Sequence, residues 1–367
     1  MIDTIPAMTS MPKRLPVTVV TGFLGAGKTT VLRHLLQSSG QRLAVVVNEF
    51  GEVGIDGDLL RACGFCPEEE LDGRLVELAN GCLCCTVQDD FLPTMERLLQ
   101  RADHLDGIVV ETSGLALPEP LVAAFGWPSI RARTRVHAVV TVVDGQALAA
   151  GHVVGDPAAL EAQRQADPSL DHLDAIEDLF DDQLQAADLV LISRADCLPE
   201  ATLQALRSSL APRCRTGTAL VPVAGGVVDP ALLLGDLAKP AADAESGAIS
   251  RQLDHDHSHV LMESLVLNLN ASWQQDQLER ALNTVLSQQT VIRLKGWYAS
   301  PAKQRLLQIQ AVGPRLNCWY EGATQRDQRE HRSGQLRLVV LGFGLEQMPL
   351  ERTLLQLADG VGNPSVT

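Results

Sequence analysis

The chain has 367 residues, enough for two domains; 46% are hydrophobic, so a sizeable core can form, but only 4% are aromatic, so that core rests on Val, Leu, Ile and Ala. With 30 Lys and Arg against 45 Asp and Glu the formal charge is -15, which repels phosphate backbones and argues against a nucleic acid partner. No stretch is long enough to span a bilayer, so no membrane partner is expected, and eight cysteines in a chain of this length are not a secreted disulfide framework, which makes the cytoplasm the expected address.

Residues 1–14 read as a flexible tail. The apolar run Val17 to Val20 is too short for a signal peptide core and reads as the heart of a first strand, Pro16 to Val20. It leads into Gly22-Phe23-Leu24-Gly25-Ala26-Gly27-Lys28-Thr29, a full match to G-x-x-x-x-G-K-[ST], and Thr30 to Gln37 continues as a helix with Val31, Leu35 and Leu36 on one face. Strand, glycine-rich loop and helix make a phosphate cradle. The glycines let backbone N–H groups turn inward, the helix N-terminus adds partial positive charge, Lys28 reaches the β- and γ-phosphates, and the Thr29 hydroxyl coordinates magnesium. Gly22, Gly25, Ala26, Gly27, Lys28, Thr29 and Thr30 are therefore the expected nucleotide-binding set. A dinucleotide fingerprint is excluded, because Thr30 stands where a third glycine is needed.

A second strand, Leu43 to Val47, runs into Asn48-Glu49-Phe50-Gly51. Glu49 reads as a metal ligand, a γ-phosphate sensor or a surface acid, and Asp56 is similar. Cys63 and Cys66 form a C-x-x-C that either assists metal capture or is incidental. Gly81-Cys82-Leu83-Cys84-Cys85 is the stronger metal signal. Gly81 permits the sharp bend that lets Cys82, Cys84 and Cys85 converge, and thiolates suit zinc and softer cations. The competing readings are small buried hydrophobes, or a redox pair that C-x-C-C does not match. Three thiolates leave a fourth position open to an exchangeable group, which suits transfer.

The third long strand, Ile108 to Val110, ends in Glu111-Thr112-Ser113-Gly114. Glu111 is the expected acid of the magnesium shell, or else a strand-end acid facing water, and the Gly114 N–H can approach the γ-phosphate. Lys28 and Glu111 are the expected catalytic residues. Asp144, ending the strand His137 to Val143, is a second acidic candidate. Asp188 to Ile192 leads into Ser193-Arg194-Ala195-Asp196, where Asp196 accepts from guanine N1 and N2 or serves as a cap or turn residue, and Arg194 lies on the base. Ala219 to Val223 completes the set. Cys197, Cys214 and Cys318 stand alone and read as core thiols.

Strands apolar on consecutive positions and alternating with helices argue for a doubly wound, mostly parallel α/β sheet over residues 15–225. Residues 226–260 read as a linker, in which His255, His257 and His259 line one side for weak metal capture or are merely solvated. A smaller α+β unit is expected over 261–345. Its strands are Ser264 to Asn270, Val291 to Tyr298, Leu306 to Val312 and Leu336 to Gly342, and its helix carries Leu278, Ala281, Leu282, Val285 and Leu286. Residues 346–367 close the chain as a helix or tail. The residues together describe a P-loop nucleotide hydrolase with a thiol metal site; a small-molecule kinase and a metal buffer with idle nucleotide binding are the readings from other classes.

The ordered set Gly-x-x-Gly-x-Gly-Lys-Thr, Asn48-Glu49-Phe50-Gly51, Gly81-Cys82-Leu83-Cys84-Cys85-Thr86 and Glu111-Thr112-Ser113-Gly114 resembles the CobW family of P-loop GTPases. Glu111 to Phe125, Ile292-Arg293-Leu294-Lys295-Gly296 and Ile309-Gln310-Ala311-Val312-Gly313 resemble its cobalamin-biosynthesis members. The resemblance runs from about Val17 to Gly342. It implies a GTPase domain followed by a CobW-type C-terminal domain, with GTP, magnesium and cobalt or zinc as ligands. It also implies delivery of cobalt to a metal-recipient protein, a cobaltochelatase subunit. By position it puts phosphate binding on Gly25, Gly27, Lys28 and Thr29, the magnesium acid on Glu111, and the metal thiols on Cys82, Cys84 and Cys85. The departure is Ser193-Arg194-Ala195-Asp196 where the family usually has Asn-Lys-x-Asp. The thiol segment lies between the P-loop and the Glu111 strand, so triphosphate is expected to order it and hydrolysis to release it.

Overall fold

A computed structural model of the chain describes residues 14–47, 75–77, 91–166, 176–234, 247–250, 262–303, 305–320 and 333–358. Two sheets organise them. The first has seven strands in the order β3-β2-β4-β1-β5-β6-β7. These are β1 (Leu15–Thr21), β2 (Leu43–Val47), β3 (Leu75–Glu77), β4 (Gly107–Glu111), β5 (Thr134–Asp144), β6 (Leu189–Ser193) and β7 (Ala219–Pro222). Every pairing among them is parallel. Parallel neighbours need crossover helices, and those helices bury both faces, so β1, β4 and β6 are buried at every position. One face packs Val31, Leu32 and Leu35 of the helix Lys28–Ser38; the other packs Phe91, Met95 and Leu99, beside the helix Leu92–Gln100.

The second sheet has six strands in the order β12-β11-β10-β13-β9-β8. They are β8 (Gly247–Ser250), β9 (Glu263–Asn270), β10 (Thr290–Tyr298), β11 (Leu307–Val312), β12 (Arg315–Tyr320) and β13 (Gln335–Phe343), all antiparallel. One face carries Leu267, Leu294, Ile309 and Leu338 against Leu278, Leu282 and Val285 of the helix Gln275–Gln288 and Leu350 and Leu354 of the helix Gln347–Gln356. β13 alternates half-buried and buried along its whole length, as a sheet covered on one face by helices must.

The two units share apolar packing. Ile292 and Val312 of the second sheet join the first unit's core beside Leu189 and Ala219, with Met262, Leu341 and Phe343 against them. An ionic clamp crosses the same seam. The Asp188 carboxylate is fully buried, accepts from the Val139 N–H at 2.7 Å, and pairs with Arg215 of the first unit and Arg315 of β12. Of the residues expected as a linker, Val228 and Leu232 to Leu234 pack into the first core, the Leu233 carbonyl accepts from the Thr18 hydroxyl at 2.7 Å, and Gly247–Ser250 adds an edge strand to the second sheet. His255, His257, His259 and residues 1–13 lie outside the described residues.

Replacing Asp188 with Ala leaves two guanidinium groups without their shared acceptor and the Val139 N–H unmatched. Urea unfolding is expected to show a loss of about 3 kcal/mol, whereas a change within about 0.5 kcal/mol would show that the clamp contributes nothing.

Candidate nucleotide and metal site

Parallel strands end on the same side of their sheet, so the loops after β1, β4, β5 and β6 converge there. The loop after β1 starts with Gly22 at φ 135, and a Cβ on it would sit 2.1 Å from the Val142 carbonyl oxygen of β5. Only glycine fits between these strand ends. The loop then turns, with Ala26 N–H donating to the Phe23 carbonyl at 3.2 Å, and Gly27 caps the helix Lys28–Ser38. The Lys28 ammonium is buried and donates to the Gly22 carbonyl at 2.8 Å and the Phe23 carbonyl at 3.3 Å, so it spans the loop's mouth from beneath. Thr30 begins the exposed side of the helix.

Glu111 ends β4, in register with Val20 of β1 and Val47 of β2. It is 3% exposed, which removes the reading of a strand-end acid facing water. Its carboxylate accepts from the Thr29 hydroxyl at 3.4 Å. Two oxygen donors thus sit side by side at the helix N-terminus, the hard donor set that magnesium takes. Thr112 N–H donates to the Val20 carbonyl at 2.9 Å and its hydroxyl to Thr21 at 2.9 Å, so the loop after β4 is tied to the end of β1. Gly114 lies so close to the P-loop that a Cβ would meet the Leu24 nitrogen at 2.7 Å.

Gln183, which the sequence did not single out, fixes that loop from behind. It is fully buried on the helix Ile176–Ala186 and donates through Nε2 to the carbonyls of Gly114 at 3.1 Å and Ala116 at 3.2 Å. A glutamine in a helix carries no sequence signal of such a role.

Asp144 does not serve as a second open acid. Its Oδ1 accepts from the N–H groups of Gln146 and Ala147, capping the helix Gly145–Ala149, and its Oδ2 pairs with Arg194. The Arg194 backbone is left-handed at φ 53, an uncommon state for a residue with a side chain, and its guanidinium also donates to the Gly25 carbonyl at 3.0 Å. Arg194 therefore bridges the loop after β6 to the P-loop instead of lying free for a base. Asp196 follows in the turn Ala195–Cys197 with its carboxylate exposed, and it caps no helix. The Ser193 hydroxyl is buried behind Gly27 and has no hydrogen-bond partner among the described residues. A loop missed in the sequence closes this side. Ala195 N–H donates to the Val223 carbonyl at 3.2 Å, and Gly226 packs on Thr30.

Cys82, Cys84, Cys85, Cys63, Cys66, Glu49 and Asp56 lie outside the described residues. The strands that flank them do not. Val47 pairs with Glu77 of β3 on one side and Glu111 on the other, so the chain leaves β2 and β3 at the phosphate end of the sheet. Of the solitary cysteines, Cys214 is buried and its thiol is pushed up to about 11 by that burial; Cys318 is half-buried and pushed up to about 12 for the same reason. Both fit core thiols. Cys197 is exposed, against the expectation of a core position.

Family models match both units: "CobW/HypB/UreG, nucleotide-binding domain" over residues 16–220 and "Cobalamin synthesis protein cobW C-terminal domain" over 262–358. Among curated proteins, the chain is 44% identical over 348 residues to "Zinc chaperone CobW" of Pseudomonas aeruginosa, covering 93% of this chain and 91% of that protein. It is 41% identical over 337 residues to "Zinc chaperone CobW" of a Sinorhizobium species, covering 90% and 93%. It is also 41% identical over 134 residues, 35% of this chain and 32% of the relative, to "Zinc-regulated GTPase metalloprotein activator 1" of Schizosaccharomyces pombe.

If Arg194 ties the loop after β6 to the P-loop, Arg194→Ala weakens GTP and GDP alike, on the order of tenfold for one lost charged hydrogen bond, and Arg194→Lys restores much of it. Equilibrium binding of fluorescent GTP and GDP checks this; a loss confined to GTP would assign Arg194 to the γ-phosphate instead.

Proposed function

The chain belongs to the CobW/HypB/UreG family of P-loop GTPases, and from that premise we propose that it is a metallochaperone whose thiol site, Cys82, Cys84 and Cys85, is gated by GTP bound at Gly22 to Thr30. The observation that carries this is one of reach. Glu77, Val47 and Glu111 stand side by side across three strands, about 10 Å from first to last at ordinary strand spacing. Cys82 is five residues past Glu77, hence at most about 18 Å of chain away. The thiols are thus tethered to the phosphate end of the sheet, and Glu49 follows Val47 by two residues. What happens at the γ-phosphate can reach them without long-range relay.

In this reading Lys28 leaves its loop carbonyls for the β- and γ-phosphates, while the P-loop N–H groups and that of Gly114 hold phosphate oxygens. Thr29 and Glu111 would hold a magnesium ion, which would neutralise charge on the phosphates. Asp196 accepts from the guanine N1 and N2 groups, and Arg194 keeps its loop against the P-loop. Triphosphate orders the thiol segment into a metal site with one open position, and hydrolysis loosens it for a recipient metalloprotein.

The cargo we favour is zinc, which outranks cobalt on most nitrogen and sulfur sites, and which the relatives' names carry. Cobalt delivered to a cobaltochelatase is the second reading. The description of the C-terminal family model, which names cobalamin synthesis, favours it.

Zinc and cobalt affinities, measured by competition with a chromophoric chelator, are expected to rise about 5- to 150-fold with magnesium and a non-hydrolysable GTP analogue over GDP or no nucleotide. Cys84→Ser with Cys85→Ser abolishes that dependence. Equal metal affinity in all three nucleotide states would end the gating model.

A further inference from the structure

The loop after β4 is held from outside the phosphate cradle by one buried side chain. Gln183, on the helix Ile176–Ala186, donates through Nε2 to the carbonyls of Gly114 at 3.1 Å and Ala116 at 3.2 Å. Two carbonyl acceptors fix which end of the amide is the donor. The other end, Oε1, is buried and meets no donor among the described residues. An apolar side chain of equal length would fill the same space without the cost of that unmatched acceptor. The amide therefore contributes by where it holds the two carbonyls.

Those carbonyls belong to a tight turn. Ala116 N–H donates to the Ser113 carbonyl at 3.2 Å, which makes Gly114 and Leu115 the central residues. Every described peptide bond is trans, and in a trans peptide the carbonyl and the following N–H point opposite ways. With the Gly114 carbonyl drawn to the helix, the Leu115 N–H points away from it. On another side the turn meets the P-loop, where a Cβ on Gly114 would sit 2.7 Å from the Leu24 nitrogen. Rotation of the Gly114–Leu115 peptide plane would thus change which donors the turn offers beside the P-loop.

The same helix also holds the P-loop. Phe180, three residues before Gln183, packs on Phe23 with ring centroids 5.8 Å apart, and Leu115 joins that buried cluster. The Gln183 carbonyl accepts from the Thr141 hydroxyl of β5 at 2.9 Å, one residue from Val142, whose own carbonyl oxygen confines Gly22. The turn and the P-loop are therefore placed by one helix, and that helix is tied to the strand where the P-loop starts.

We propose that Gln183 is the positioning residue for the terminal phosphate of GTP. Its amide sets the peptide planes of the turn Ser113–Ala116, and with them the aim of the Gly114 and Leu115 N–H groups at a third phosphate. The ligand rests on the nucleotide site proposed above; the tether rests on the two hydrogen bonds. Gln183 touches no nucleotide. It acts on the difference between GTP and GDP, because GDP lacks the phosphate that the turn would meet. An amide that only supported the fold would weaken both nucleotides together.

Two variants separate these roles in the full chain with magnesium. Gln183→Met keeps the length and removes the donor. Gln183→Asn keeps the donor on a side chain one methylene shorter, which cannot span both carbonyls. Affinities for a fluorescent non-hydrolysable GTP analogue and for fluorescent GDP are measured, with thermal unfolding as the check on folding. In Gln183→Met the GTP analogue is expected to weaken about tenfold or more and GDP by less than about twofold. Gln183→Asn should fall between this variant and the wild type, and it is read alone should Gln183→Met fail to fold. An unchanged ratio of the two affinities in a folded variant, whether both hold or both drop alike, would overturn the proposal. A wild-type chain that binds neither nucleotide would overturn it together with the nucleotide site. A fallen ratio alongside nucleotide-independent zinc affinity would sink the gating model and leave the role of Gln183 standing.

Discussion

A phosphate cradle works only if its N–H groups are held inward before the ligand arrives, and here that depends on how closely β1 and β5 approach at their ends. A side chain on residue 22 would enter the Val142 carbonyl oxygen. The tight contact starts the loop in a direction that only glycine can take, and the turn to Gly27 and the helix Lys28–Ser38 follow from it. Because β1 lies between β4 and β5, the acid at the end of one neighbour and the cap at the end of the other fall on either side of the loop. Glu111 meets Thr29, and Asp144 holds Arg194 against Gly25.

The loops around the site are tied to each other more than to solvent. Thr112 to Thr21, Arg194 to Gly25, and Ala195 to Val223 are contacts between the loops at different strand ends, and Gln183 ties the loop after β4 to a helix behind it. Each holds one wall of the site in place. Preorganised donors of this kind stabilise developing charge without reorganising during reaction. Val47 and Glu77 end their strands at the same rim, so in the proposed reading the nucleotide has a short route to the thiols that follow.

Most of the sheet was legible because Val17–Val20 (apolar but for Thr18), Ile108–Val110 and Leu189–Ile192 are runs without polar alternation, and only a doubly covered parallel sheet buries both of their faces. Short strands were not legible. Leu75–Glu77 and Gly247–Ser250 are three and four residues long, too short for a period to emerge, and Arg315–Tyr320 is half-buried throughout, so its composition shows no clear inside. At the site, glycine spacing announced the cradle, because glycine is required by geometry. The partner of a charge was hidden. Asp144 and Glu111 look alike as strand-end acids, and only the fold decides that one meets a guanidinium fifty positions away while the other meets a hydroxyl eighty-two away. The left-handed turn at Arg194 and the buried Gln183 are likewise consequences of tertiary contact, without a local signature.

The central claim is that a buried carboxylate and a helix-end hydroxyl together form the cation shell of a working triphosphate site. The most direct measurement is GTP affinity and phosphate release in wild-type protein and Glu111→Gln, each with magnesium and with chelator. If Glu111 holds the cation, magnesium tightens GTP binding in the wild type, that tightening shrinks by on the order of 10- to 100-fold in the variant, and phosphate release collapses while GDP still binds. A Glu111→Gln protein that keeps the wild-type magnesium dependence and turnover would contradict it.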